Sequence, residues 1–199
     1  MKRHTTFRIG GPAEVFVMPR TIEEIQKTLE ICRREKLPYF ILGNGSNLLV
    51  SDQGYKGVII QMDRNMEQIT VEGTEIRAAA GALLSSIAVA ARRASLAGFE
   101  FAGGIPGTLG GAVVMNAGAY GGEMKDVLTE VTVMDDEGEI ITLPADKLEL
   151  GYRTSVFAKN QDIILSAQLK LEYGNEAVIR EYMDELKEQR VSKQPLEYP

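Results

Sequence analysis

The chain is poor in the two side chains that most metal sites and nucleophile pairs require. Its 199 residues include one cysteine, Cys32, and one histidine, His4. A single cysteine cannot form an intramolecular disulfide. A single histidine excludes a histidine-cluster metal site and most nucleophile–histidine pairs. We therefore predict no metal site, and we assign Cys32, on the apolar side of a predicted helix, to packing.

Excess positive charge is also lacking. The net charge of −6 argues against a protein that binds nucleic acid or an anionic membrane, because such proteins carry excess positive charge. The opening MKRHTTFRIGG has basic residues but no apolar segment behind them, and no stretch is long enough to span a bilayer. With 44% apolar residues the chain can bury a sizeable core. We expect a folded cytoplasmic protein with no nucleic-acid or membrane partner; its oligomeric state is unknown.

Glycine, by contrast, is concentrated in two short segments. Eight of the 20 glycines lie in residues 103–122, and an earlier segment reads Gly43-Asn44-Gly45-Ser46-Asn47. No lysine or arginine lies between Arg93 and Lys125. Glycine permits positive φ and close approach, so successive N–H groups can turn toward one anion. A phosphate bound there would be held mainly by backbone amides, which suits a dinucleotide better than a small charged substrate.

Each glycine segment also has a purely structural interpretation. Residues 43–47 are not followed by the helix that Rossmann and P-loop turns require, and their glycines are compatible with a tight turn alone. Eight glycines in residues 103–122 exceed what turns need. Packing of a glycine-rich helix against a sheet would still explain some of them.

Hydrophobic periodicity predicts an α+β fold. Thr21 and Glu24 form a capping box that begins a helix, and Asn175 caps the last one. The remaining predicted elements are strands at 39–42, 58–60 and 162–172, hairpins at 69–76 and 131–143, and a helix at 83–94. We interpret residues 1–60 and 61–173 as two subdomains with a ligand between them.

A third segment surrounds one arginine with aromatic and apolar residues. Gly151-Tyr152-Arg153-Thr154-Ser155-Val156-Phe157 leads into the clearest predicted strand. A partly enclosed guanidinium at Arg153 would pair with a substrate carboxylate or stabilise developing negative charge. A surface arginine stacked on Tyr152 is the alternative.

Four motifs together resemble one enzyme family over essentially the whole chain. HTTFRIGGPA, LGNGSNLLV, AGGIPGTLGGAVVMNAGAYG and GYRTSVF resemble, in this order, the UDP-N-acetylenolpyruvoylglucosamine reductase (MurB) family of flavoenzymes. The resemblance implies an FAD-binding fold of the vanillyl-alcohol-oxidase (PCMH) type, in which two subdomains clasp non-covalent FAD. A substrate domain would begin in residues 174–199. The implied reaction reduces UDP-N-acetylglucosamine enolpyruvate to UDP-N-acetylmuramate with NADPH, in peptidoglycan precursor synthesis.

The resemblance also implies site residues. The FAD pyrophosphate would be held by Gly43, Asn44, Gly45, Ser46 and Asn47. The rest of FAD would be lined by Ile105, Pro106, Gly107, Thr108, Gly110, Gly111, Asn116, Ala117 and Gly118, with Ile163 touching the isoalloxazine. Arg153 would be the catalytic residue that contacts the enolpyruvyl carboxylate, where hydride addition leaves charge. Tyr152 would lie beside it in the substrate site.

Two features of the family have no counterpart in residues 1–199. The family's general-acid serine lies in a Gly-Ser-x-Phe-Lys segment soon after a Tyr-Pro like Tyr198-Pro199, and an essential glutamate lies near its C-terminus. We therefore expect this chain to bind FAD at most. The alternatives are an FAD oxidase of the same fold and a non-catalytic nucleotide-binding module. His4 is distant in sequence from both glycine segments, which argues against an oxidase with covalent flavin.

Overall fold

Runs of consecutive strands are separated by single α-helices along the chain, as is typical of an α+β fold. The computed structural model describes residues 1–194. Within them the helices are α1 (Ile22–Arg34), α2 (Leu84–Arg93), α3 (Leu109–Val114) and α4 (Glu176–Lys193). The strands are β1 (Ala13–Val17), β2 (Tyr39–Leu42), β3 (Tyr55–Gln61), β4 (Ile69–Glu72), β5 (Glu75–Ala79), β6 (Leu96–Ala97), β7 (Gly118–Ala119), β8 (Gly122–Glu123), β9 (Leu128–Met134), β10 (Ile140–Pro144), β11 (Ile163–Lys170) and β12 (Glu172–Tyr173).

The first sheet is parallel and has the order β1-β3-β2. Helix α1 connects β1 to β2, as a parallel crossover requires. It begins at Thr21, whose hydroxyl accepts the Glu24 N–H at 3.3 Å. The Glu24 carboxylate in turn accepts the N–H of Arg20 at 2.7 Å, one residue before the position that a capping box predicts. The predicted helix and its N-cap are confirmed.

The second sheet is antiparallel and has the order β10-β9-β11-β5-β4. Both predicted hairpins belong to it, and Gly73 turns the first with φ of +59°. Strand β11 lies at the centre of the sheet. Buried residues alternate with less buried ones from Leu165 to Lys170, but Ile164 is also buried, beside a register shift between β11 and β9. A register irregularity of this kind redirects side chains locally.

One apolar core joins the two sheets. Ile25, Leu29 and Cys32 of α1 lie in the same buried cluster as Ile76 of β5 and Val131 of β9. Burial raises the pKa of the Cys32 thiol, which agrees with the packing role predicted for it. The two sheets therefore share their packing, and a ligand between them would lie along the margin of a common core.

Helix α4 lies against the second glycine segment. Asn175 Oδ1 caps it by accepting the Ala177 N–H at 2.9 Å, as predicted. The Met183 side chain lies 3.2 Å from where a Cβ on Gly103 would be. Of the segment 174–199 that we predict to begin a substrate domain, residues 195–199 lie outside the described residues. No helix within residues 1–194 is long and apolar enough to cross a bilayer.

Candidate functional site

The two glycine segments meet in the structure. The Asn44 side chain donates its Nδ2 hydrogen bond to the Pro106 carbonyl at 2.9 Å, across 62 residues of sequence. A Cβ on Gly43 would overlap the hydroxyl of Thr108, so only glycine allows this approach. The Ser46 hydroxyl lies 3.8 Å from the Cβ position of Gly107. Residues 43–47 and 106–111 therefore form one continuous surface.

Backbone N–H groups at this surface have no acceptor in the protein. Among the described residues, the five consecutive amides of residues 44–48 donate no hydrogen bond to the chain, and neither do those of Thr108 and Gly111. Gly45 has φ of +65°, the left-handed conformation found in anion-binding nests. Because Asn44 and Asn47 are exposed, these unpaired donors are accessible to an acceptor-rich ligand.

Most glycines in the second segment face the chain itself. A Cβ on Gly110 would lie 3.1 Å from the Ala80 Cβ, and one on Gly118 would lie 2.6 Å from the Gly122 carbonyl oxygen. Gly107 and Gly111 have room, because the nearest atom to either Cβ position is 3.8 Å away. Chain packing therefore explains part of the segment, as the structural interpretation of the sequence requires. Gly121 is open as well, but it lies in the turn between β7 and β8, so the open positions next to residues 43–47 are Gly107 and Gly111.

A cleft of about 640 Å³ runs between the first sheet and the start of β11. This volume suits a small organic ligand or part of a dinucleotide. Of the predicted site residues, the lining includes Gly43, Thr108, Gly110, Gly111 and Ile163. The sequence did not assign the other lining residues to the site; they include Tyr39, Phe40, Ile41, Val114 and Phe157. Their sequence signals are that the 39–42 strand ends directly in the first glycine segment, that Val114 lies in the second glycine segment, and that Phe157 ends the segment around Arg153.

One acidic residue, Asp162, lines the cleft near Tyr39, which begins β2, whereas the unpaired amides follow the end of β2. Burial raises the pKa of Asp162, and the nearby carboxylates of Asp135 and Asp136 raise it further. Asn160 opposes this shift by donating to the Asp162 carboxylate at 2.8 Å. An anionic ligand group is disfavoured near Asp162 and favoured at the amides of residues 44–48. The cleft thus has an electrostatic direction.

A tight turn brings Arg153 to the first glycine segment. The Gly151 N–H donates to the Thr154 carbonyl at 3.1 Å, and Arg153 itself has φ of +55°. Its Nη2 donates to Asn47 Oδ1 at 2.8 Å, across 106 residues of sequence. Arg153 is nevertheless exposed, and Tyr152 beside it is 95% exposed. Within the described residues the predicted partial enclosure is therefore wrong and the alternative of a surface arginine is confirmed, although Tyr152 is too exposed to be covered by the guanidinium.

Asn116 anchors the turn that carries Arg153. It is 3% exposed, and its Nδ2 donates to Glu123 Oε2 at 2.6 Å and to the Gly151 carbonyl at 3.0 Å. Its Oδ1 accepts the Lys125 N–H at 2.9 Å. Both amide donors of Asn116 are therefore used inside the protein. Its contact with a cofactor stays a prediction, as do the contacts of all the other predicted cofactor residues. Those outside the cleft lining are Asn44, Gly45, Ser46, Asn47, Ile105, Pro106, Gly107, Ala117 and Gly118.

His4 lies directly behind the first glycine segment. A Cβ on Gly45 would overlap the His4 carbonyl oxygen. The His4 ring lies on Phe16, with 4.1 Å between ring centroids. The expectation that His4 lies far from both glycine segments is wrong for the first one, because the Thr6 N–H donates to the Gly45 carbonyl and holds residues 4–6 against it. A covalent flavin link at His4 therefore needs an experimental test.

Replacing Gly111 by alanine tests whether the open face of α3 belongs to a ligand site. We expect the ligand-free protein to be stabilised by up to about 1 kcal/mol, since alanine favours helix and has room there. A dinucleotide packed on this face would bind more weakly. Denaturant unfolding and ligand titration of the same samples measure both effects. Unchanged ligand affinity would exclude Gly111 from the site.

Comparison with known proteins identifies relatives over the whole chain. Residues 13–144 match the family model of an FAD binding domain. UDP-N-acetylenolpyruvoylglucosamine reductase from Alkaliphilus metalliredigens is 51% identical over all of this chain and 66% of its own length. The protein of the same name from Clostridioides difficile is 49% identical over all of this chain and 65% of its own length. The chain thus spans slightly less than two thirds of the length of these curated relatives.

Solved structures agree with these matches. The crystal structure of UDP-N-acetylenolpyruvylglucosamine reductase (MurB) from Thermus caldophilus superimposes with a TM-score of 0.82 and 36% identity, over 97% of this chain and 68% of that one. Alkyldihydroxyacetonephosphate synthase superimposes with a TM-score of 0.57 and 16% identity, over 79% of this chain and 31% of that one. The second match shows a shared fold only. Together with the FAD-binding family model, these structures confirm the predicted FAD-binding fold of the vanillyl-alcohol-oxidase type.

Proposed function

This chain belongs to the UDP-N-acetylenolpyruvoylglucosamine reductase family, and from that premise we propose that its two glycine segments hold the diphosphate of FAD. The observation that supports this most is the run of five unpaired amides at residues 44–48, next to the open positions Gly107 and Gly111. Amide donors suit a diphosphate that is bound without a lysine or a metal ion. The Asn44, Ser46 and Asn47 side chains supply further short polar groups.

The cleft beside these amides fits a ring system of FAD. Strand β2 contributes Phe40 and Ile41 to its lining, and β11 contributes Ile163. Such apolar walls suit the flat faces of adenine or isoalloxazine. The acidic end at Asp162 disfavours the diphosphate there and directs it toward residues 44–48. The shape and the electrostatics of the cleft therefore suit the same orientation of the dinucleotide.

For the complete protein we propose the reaction after which its relatives are named, and we propose that it takes place in the cytoplasm. UDP-N-acetylglucosamine enolpyruvate would be reduced to UDP-N-acetylmuramate, a precursor of peptidoglycan, with NADPH as reductant. FAD supplies the relay of hydride between NADPH and substrate. Arg153 would bind the enolpyruvyl carboxylate and stabilise the charge that develops on it. We propose that the proton donor lies in the part of the relatives' length that this chain does not span.

Titration of the purified 199-residue chain with FAD tests the cofactor proposal. We expect one FAD per chain, seen as a shifted flavin absorbance band, and release of all flavin on acid precipitation. Protein that stays colourless and takes up no FAD would favour the nucleotide-binding module. Flavin that remains on the denatured chain would indicate a covalent oxidase instead, with His4 as the link to examine. Oxygen consumption with hydroxy-acid donors would support that second result.

A further inference from the structure

We infer that Gln61 is a positioning residue that directs the free amides of the first glycine segment toward the bound diphosphate. This inference rests on the proposed FAD site and deepens it. Gln61 ends β3 and is only 6% exposed, although it is polar. A buried glutamine amide has two ends that both need partners, and its orientation follows from what those partners are.

Each end of the Gln61 amide has a partner. Nε2 donates to the Gly43 carbonyl at 3.0 Å, and Oε1 lies 3.1 Å from Nδ1 of His4. Because a carbonyl only accepts, the nitrogen of Gln61 must face Gly43. Its oxygen then accepts from His4, so Nδ1 carries the hydrogen of that bond. The side chain of Gln61 thus links residues 1–10, the N-terminal segment, to the first glycine segment.

The N-terminal segment holds a second carbonyl of the glycine segment. The Thr6 N–H donates to the Gly45 carbonyl at 3.2 Å. The His4 carbonyl oxygen fills the place where a Cβ of Gly45 would lie. The carbonyls of Gly43 and Gly45 are therefore both held by one connected scaffold, which consists of Gln61, His4 and Thr6.

Because the peptide bond is planar, the hydrogen bonds to the Gly43 and Gly45 carbonyls also fix where the following N–H groups point. In a trans peptide, the carbonyl of one residue and the N–H of the next point to opposite sides, and the described chain has no cis peptide bond. Holding the Gly43 carbonyl directs the Asn44 N–H away from the scaffold. Holding the Gly45 carbonyl does the same for the Ser46 N–H. Two amides that lack acceptors in the protein are thereby presented to a ligand.

The substitution Gln61→Met tests this role, since methionine keeps the length of the side chain and removes its hydrogen bonds. We expect FAD to bind about 10- to 100-fold more weakly, as for loss of a hydrogen bond to a charged group. Gln68→Met is the matched control, because Gln68 is exposed and precedes β4 in the other sheet. The control is expected to bind FAD like the wild type. Riboflavin, which has no diphosphate, is titrated in parallel, with the unfolding midpoint of each FAD-free protein.

The outcomes separate a positioning role from general damage. Weakened FAD binding with riboflavin affinity unchanged supports the inference. Unchanged FAD affinity, or equal losses for FAD and riboflavin, would overturn it. If Gln61→Met does not fold, His4→Phe is used instead, which removes only the hydrogen bond between His4 and Gln61. We expect it to weaken FAD binding by about threefold. Unchanged FAD affinity in His4→Phe would also overturn the inference. A wild-type chain that binds no FAD refutes the proposed function instead.

Discussion

Arg153→Ala in the complete protein is expected to slow the half-reaction with the enolpyruvyl substrate about 100-fold, while NADPH reduces the flavin at nearly the wild-type rate. The guanidinium is held at the first glycine segment by its 2.8 Å bond to Asn47. A fixed cation there stabilises charge on a carboxylate only while substrate is being reduced. Rapid-mixing measurement of the two half-reactions separates these effects.

Two further variants make the Arg153 experiment specific. Arg153→Lys keeps the charge but loses the planar fork of donors, so we expect an intermediate rate. All three side chains at position 153 carry a Cβ, so the strain of φ at +55° is common to them. Lys159→Ala removes a positive charge that is paired at 2.6 Å with Glu149, and should change neither half-reaction. Equal slowing of both half-reactions by Arg153→Ala would contradict the assigned role.

Sequence periodicity predicted the longer helices and the two hairpins because their causes are local, but it did not predict the two-residue strands β6, β7 and β8. The cap at Thr21, the positive φ at Gly73 and the cap at Asn175 each act within a few residues. The roles of individual glycines in the two glycine segments were harder to predict. A missing Cβ has the same appearance in the sequence whether it makes room for a ligand or for the chain. Only the fold shows that Gly111 faces open space and that Gly110 faces Ala80.

Sequence reasoning predicted Asn47 for the FAD site, but it missed the contacts of Asn47 and Gln61, which act across long separations. Gln61 and Asn47 each join segments that are distant along the chain, by 57 residues to His4 and 106 residues to Arg153. Neither has a spacing pattern that local rules detect. The sequence left open whether Arg153 is enclosed or at the surface, since aromatic neighbours in sequence do not have to pack on it. Enclosure is a property of the assembled surface.

Gly45→Ala is expected to remove FAD binding and to destabilise the protein by about 3 kcal/mol. Alanine at φ of +65° costs about 1 to 2 kcal/mol. Its Cβ would also overlap the His4 carbonyl oxygen, which is backbone and cannot rotate away, so the N-terminal segment would have to move. That movement would break the Thr6 bond to Gly45 and free the amides from their direction. Urea unfolding and FAD titration measure the two losses.

Gly121→Ala separates the two causes of the Gly45→Ala effect. Gly121 has φ of +87°, yet nothing lies within 4 Å of its Cβ position. Its replacement should cost only the backbone strain, about 1 kcal/mol, and leave FAD affinity unchanged. The excess loss in Gly45→Ala then measures the contact with the N-terminal segment. Equal destabilisation by the two variants, with FAD binding kept in both, would show that His4 and Thr6 do not support the glycine segment.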